Sequence, residues 1–211
     1  MTASSGGQGN TNVGKSRDEQ IREKLVPHIQ NAASLEKQVL EALEGHLKEL
    51  DDHRDLFSDF QQQVRMHIDQ TKQHRSRMED RLKAYGADPS AIKDVGTSLL
   101  GNIMGTLAGA RPDTVSRIVR DEYVSEHMEV AGYMLLITTA RAFGEEETAR
   151  AGEQNLRDEV QMQDWLLRNM PSICLRDLQR QGYDVSGVMG GAQFAQGVQG
   201  VQDTGGYTTT G

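Results

Sequence analysis

The chain has 211 residues, enough for one ordinary domain with its own core, and its length gives no reason to expect a second. Its 31 acidic residues outnumber the 23 basic ones, and a net charge of −8 argues against a nucleic-acid or anionic-membrane surface. Cys174 is the only cysteine, so an intramolecular disulfide is excluded, zinc ligation would need other residue types, and a reducing cytoplasm fits best.

The N-terminus carries neither the basic segment nor the apolar run of a secretory signal. The least polar stretch, Val95 to Ala110, is too short and too rich in glycine to span a bilayer. A soluble cytoplasmic protein is therefore expected.

Residues 1–17 begin with an uncharged run of Gly, Ser, Thr and Asn that cannot bury enough apolar surface to offset ordering entropy, so a disordered segment is predicted. Ser16-Arg17-Asp18-Glu19 then reads as a capping box ahead of Ile21. Pro27 predicts a kink or restart, followed by a first long helix from Pro27 to Leu50 with Ile29, Ala32, Ala33, Val39, Leu40 and Leu43 on one face. A second helix is predicted from Asp55 to Tyr85, stopped by Gly86. Its inward residues are Phe57, Phe60, Val64, Ile68, Met78 and Leu82.

From Asp88 to Asp113 repeated glycines and two prolines loosen the pattern, which predicts a crossover containing a short helix. A third helix fits Asp113 to Phe143, ended by Gly144. A fourth fits Glu145 to Met170, ended by Pro171, with a separate short helix over Ser172 to Arg180. Residues 182–211 are glycine-rich without helical spacing and are predicted to be a flexible tail. Two helices, one long link and two more helices give an all-α up-down four-helix bundle over residues 18–181.

Several polar residues disagree with their place in this pattern. A buried carboxylate needs a partner, a proton or a metal. Glu36 lies seven residues from both Ile29 and Leu43, so periodicity carries it into the core seam, where pairing with a basic residue is the simpler alternative to metal ligation. The steps Phe60, Val64, His67, Thr71, His74, Met78 alternate four and three and put both histidines on the inward stripe. A lone histidine there would more often be a hydrogen-bonded core residue than a ligand.

On the third helix Glu126 and Glu129 sit among Val119, Tyr123, Val130 and Tyr133, with Glu122 one step earlier, and one or two of the three acids are expected to face solvent. Glu159 reaches the packing face of the fourth helix, and Asp158 is a less well placed alternative. Each helix thus offers an inward metal-capable side chain: Glu36, His67, His74, Glu126, Glu129 and Glu159 are the candidate ligands. Carboxylates and imidazoles drawn from four facing helices suit iron or manganese.

Leu35-Glu36-Lys37-Gln38, His67-Ile68-Asp69-Gln70-Thr71 with His74, Glu126-His127-Met128-Glu129-Val130-Ala131 with Tyr133, and Asp158-Glu159 together resemble the YciE/YciF-type ferritin-like stress proteins, across residues 21–170. Tyr85-Gly86-Ala87-Asp88-Pro89-Ser90 before Lys93-Asp94 is similar to that group as well. The resemblance implies a ferritin-like bundle, a homodimer, an association with stress responses and a dinuclear metal site.

The family usually has a glutamate where this chain has Gln70, and a neutral amide is a poorer ligand for a hard cation. The Glu-x-x-His pair of active di-iron bundles is also missing, since Thr71 stands three before His74 and Met162 three after Glu159. A complete ferroxidase or peroxidase site is therefore not expected, and no catalytic residue is assigned. The competing reading is a metal-free helical bundle that serves as an interaction scaffold. A hydrolase is discounted, because the sequence has no nucleophile elbow, phosphate-cradling loop or His-Glu-x-x-His motif.

Overall fold

A computed structural model of the chain describes residues 14–89 and 114–189. The predicted crossover with its short helix, the N-terminal segment as far as Val13 and the tail beyond Met189 lie outside the described residues.

The helices are α1 (Arg17–Lys24), α2 (Val26–Asp51), α3 (Arg54–Ala84), α4 (Thr114–Ala142), α5 (Glu146–Arg180) and one turn, α6 (Ser186–Met189); no strand occurs among the described residues. Ser16 caps α1 in a full capping box with Glu19. Pro27 occupies the first turn of α2, where its missing N–H would have had no helical partner. Gly86 and Gly144, at φ +68° and +67°, end α3 and α4. In each case the amide one residue beyond the glycine reaches back to a helix carbonyl, Ala87 to Leu82 at 3.0 Å and Glu145 to Ala140 at 2.8 Å. A left-handed residue makes that return geometry accessible, and glycine adopts it without strain.

α2 and α3 form one antiparallel hairpin and α4 and α5 another; the hairpins meet where α2 packs on α4 and α3 on α5. α1 packs on α2, and Arg17 donates to the Phe143 carbonyl at 2.7 Å, tying the start of the chain to the α4–α5 turn. The bundle expected from the helical spacing is the one observed.

Three local expectations are corrected. Pro171 does not end the fourth helix: α5 runs through it to Arg180. Proline removes one ladder hydrogen bond, but the inward stripe continues past it through Ile173 and Asp177. The buried Asp177 carboxylate accepts from the Ser116 amide at 3.1 Å and hydroxyl at 2.9 Å, which anchors the end of α5 to the start of α4. Cys174 accordingly lies half-buried on the bundle itself. Second, Phe57 has φ −130° and ψ 30°, so the first turn of α3 is offset from the rest of the helix, and Arg176 donates to the Leu56 carbonyl at 2.7 Å. Third, the chain after Gly182 keeps structure as far as Met189: Val185 is buried, and Asp184 accepts from the Ser186 amide and hydroxyl at the head of α6.

The apolar core forms two clusters. One gathers Leu43, Leu50, Phe57, Phe60, Ile118 and Leu166; the other Leu25, Ile29, Met78, Leu82, Tyr133 and Leu136. In α2 the first cluster takes residues after Glu36 and the second residues before it. α3, α4 and α5 are divided in the same way, at His67 to His74, at Glu122 to Glu129 and at Asn155 to Glu159. A layer of buried polar side chains therefore separates two apolar halves.

Candidate metal centre

Each polar residue of this layer sits on an apolar stripe and is carried inward by it. Glu36 follows Ala32 and Ala33 by about one turn, His67 follows Val64, His74 precedes Met78, and Glu159 precedes Met162. Glu36, His67, His74, Glu126 and Glu159 are all 0 % exposed, and Glu129 is 2 % exposed.

Two groups result. Ligand atoms of His67, Glu126, Glu129 and Glu159 all lie within 4.8 Å of one another, and so do those of Glu36, His74 and Glu159. Glu159 belongs to both. Glu36 and Glu126, one from each hairpin, do not share a group and are linked through Glu159.

The imidazoles point inward with opposite nitrogens. His67 Nε2 is 3.0 Å from Glu126 and 3.5 Å from Glu159. His74 Nδ1 is 2.6 Å from Glu159 and 3.6 Å from Glu36. Their other nitrogens meet a polar atom behind the ring: Gln70 Oε1 at 3.4 Å from His67 Nδ1, and Asp158 Oδ2 at 3.0 Å from His74 Nε2. A hydrogen bond of that kind fixes ring orientation and makes the inward nitrogen a better ligand. Gln70, treated from the sequence as a poor ligand, in fact stands behind a histidine. As a neutral amide it is a weaker outer partner for His67 than the Asp158 carboxylate is for His74.

The site offers many polar atoms and too few hydrogen bonds. Beyond the histidine–carboxylate ion pairs, Glu36 Oε2, His67 Nε2, His74 Nδ1 and both oxygens of Glu126, Glu129 and Glu159 are buried with no hydrogen-bond partner. Native proteins satisfy most such atoms, so a cluster this dense calls for protons or a cation.

The protonation pattern in the protein without metal shows the same need. Burial pushes the Glu36 carboxyl up to about 7. Burial likewise holds Glu126 and Glu129 well above the carboxylate range, with Glu159 adding repulsion. Burial would lower both histidines, but Glu126 beside His67, and Glu159 and Glu36 beside His74, outweigh it and push each up to about 10. Glu159 is also penalised by burial, yet His74 and His67 together hold it below its usual value. Without metal the layer is held together by protons, which a cation would displace.

The expectation that one or two of the α4 acids face solvent is overturned: Glu122, Glu126 and Glu129 are all buried. Glu122 is compensated separately by a hydrogen bond to His46 of α2 and so falls outside both groups. Sequence reasoning also missed the roles of Tyr133 and Asn155. The Tyr133 hydroxyl donates to Glu36 Oε1, and Asn155 Nδ2 donates to the Tyr133 oxygen at 2.7 Å and the His74 carbonyl at 3.3 Å. Asn155 in turn accepts from Arg77 at 2.6 Å. The available signal was Asn155 itself, an amide four residues before Glu159 on the inward stripe of α5. No helix among the described residues is long and apolar enough to cross a membrane.

The family of domains of unknown function DUF892 matches residues 20–179. Two solved structures share the fold. A protein from Xanthomonas campestris pv. campestris is 22% identical, covering 78% of this chain and 99% of that one with a TM-score of 0.63. YcfI from Rhodopseudomonas palustris is also 22% identical, covering 74% of this chain and 96% of its own with a TM-score of 0.56. With the matched region spanning the whole bundle and its polar layer, the chain belongs to the DUF892 family, in keeping with its resemblance to the ferritin-like proteins of the YciE/YciF type.

Proposed function

We propose that the polar layer is a dinuclear metal centre for iron or manganese. The observation that carries this reading is the shared carboxylate: Glu159 joins two adjacent ligand groups in which, beyond their own ion pairs, most of the buried ligand atoms have no hydrogen-bond partner. Glu126, Glu129 and His67 would hold one ion, Glu36 and His74 the other, with Glu159 between them. Four carboxylates and two imidazoles match in composition the donor set of di-iron and di-manganese bundles, although both imidazoles here come from α3. An oxygen-rich set with two nitrogens suits hard to borderline cations. Such an ion would supply Lewis-acid or one-electron redox chemistry when bound.

The chain's own residues orient the set. Tyr133 holds Glu36, Asn155 holds Tyr133, Asp158 and Gln70 stand behind the histidines, and apolar clusters flank the layer on either side. From the family resemblance we further propose a stress-associated cytoplasmic homodimer. Exposed Leu56 and Met66 on α3 support a partner surface, and light scattering at micromolar concentration tests it.

Elemental analysis tests the metal reading, using wild type and Glu126→Ala purified from cells grown with iron and manganese. Bound metal in wild type and less in the variant is expected. Protein free of metal in both forms would favour the scaffold reading, which has its own support in the histidine–glutamate pairs already present.

A further inference from the structure

Although the ligands are buried, one pocket is lined in part by two of them. Between α2 and α4 lies a pocket of about 160 Å³ whose buried lining, its inner wall, includes Glu36, Glu129 and Tyr133. Its outer residues include Asn31 and Leu135, both exposed, and the half-buried Gly132. The two acids are one from each ligand group: Glu36 from the group with His74, and Glu129 from the group with His67. Both oxygens of Glu129 and Oε2 of Glu36 lack a hydrogen-bond partner.

Gly132 lines the pocket with no side chain to fill it. A Cβ built there meets no atom within 4 Å, so the space a side chain would fill is vacant, and φ is not in the left-handed region. Glycine inside a helix costs stability relative to alanine, and nothing in the local backbone requires it. The missing side chain leaves a gap on the α4 lip, directly before Tyr133.

We propose that this pocket is the port through which a divalent cation reaches the centre, with Glu129 and Glu36 as its first protein ligands on the two sides. The inference rests on the metal reading above. An ion arriving at the outer lip passes Asn31 and His28 and then meets the two carboxylates, whose oxygens replace its hydration waters stepwise. Because the inner wall carries one member of each group, a single port serves both halves of the centre.

The test is the rate of Co(II) loading into metal-free protein, followed by visible absorption as the ion takes up protein ligands, with final stoichiometry measured after overnight equilibration. Gly132→Leu fills the gap on α4. Gly45→Leu is the control, an exposed helical glycine whose added Cβ also meets no atom and which does not line the pocket. Gly132→Leu is expected to load more slowly by about tenfold or more, with unchanged final stoichiometry, while Gly45→Leu loads like wild type. Loading of Gly132→Leu at the wild-type rate would overturn the port. Should that chain fail to fold, Asn31→Trp, on the exposed α2 lip, is read by the same criterion. Failure of wild type itself to take up Co(II) would instead sink the metal reading, so the two failures are distinguishable.

Discussion

At the ends of the bundle, Phe57, Phe60, Leu43 and Leu166, or Ile29, Met78 and Leu82, meet across the helices and need nothing further. In the middle, on the same stripes, Glu36, His67, His74, Glu126, Glu129 and Glu159 meet across the same helices and leave oxygens and nitrogens without partners. Burial at the ends stabilises the fold by removing apolar area from water. Burial in the middle removes charge from water and is compensated only in part by ion pairs. The layer is therefore a place where the fold gives up stability, and the comparison predicts opposite responses to substitution in the two regions.

The largest expected effect belongs to the apolar half. Phe60 is fully buried and stacks on Trp165 with ring centroids 5.9 Å apart. Phe60→Ala should lower unfolding free energy by about 3–5 kcal/mol in urea denaturation. A loss under 1 kcal/mol would mean that this end is loosely packed.

Glu129→Met should go the other way. It replaces an acid whose two oxygens are both orphaned by an apolar side chain of similar length. A gain of about 1–4 kcal/mol is expected in metal-free protein, with reduced metal uptake. A variant less stable than wild type without metal would show that Glu129 is well satisfied as it stands.

The comparison is also sharpened by pH. In the fold, Glu36 titrates at about 7 against an ordinary 4.5, so its contribution is fully present below 4.5 and is lost as pH rises through about 7. His67 and His74 titrate at about 10 against 6.5, so theirs is fully present below 6.5 and is lost as pH rises through about 10. Glu126 and Glu129, also raised, have the same sign as Glu36; Glu159, lowered, has the opposite sign and loses its contribution only as pH falls below its ordinary value. Metal-free protein should therefore become less stable from about pH 5 to about pH 9, while the increment added by metal grows, since binding releases protons. Thermal melts with and without Mn(II) across that range would show it. A metal-free stability that does not change with pH would mean that the layer holds no extra protons.

The smallest effect is at Gln70. Gln70→Glu places a carboxylate behind His67 Nδ1, as Asp158 stands behind His74, and should tighten Mn(II) binding by about tenfold in a competition titration. Unchanged affinity would show that the amide already serves His67 as well.

Much of this molecule is legible in its sequence, because helix formation and amphipathic spacing are local. The Ser16 cap, the restart at Pro27 and the stops at Gly86 and Gly144 each depend on a few neighbouring residues. Periodicity of 3.6 residues places Glu36, His67 and His74 inward without knowledge of any partner. Where a remote contact outweighs the local signal, local reasoning fails. Pro171 reads as a stop, yet Asp177 and Ser116, far apart in the chain, hold α5 together beyond it. Glu122 reads as a candidate for solvent, yet His46 on another helix takes it in.

The layer itself was decided only in three dimensions. The sequence by itself determined that each long helix would bury at least one ionisable side chain. Only the packing of α2 on α4 and of α3 on α5 determined that Glu159 is shared and that Tyr133 and Asn155 brace Glu36. The same packing left a pocket beside Gly132. Periodicity gives the direction in which a side chain leaves its own helix. The register and rotation of one helix against another, which bring two such directions to the same point, depend on packing along the whole interface.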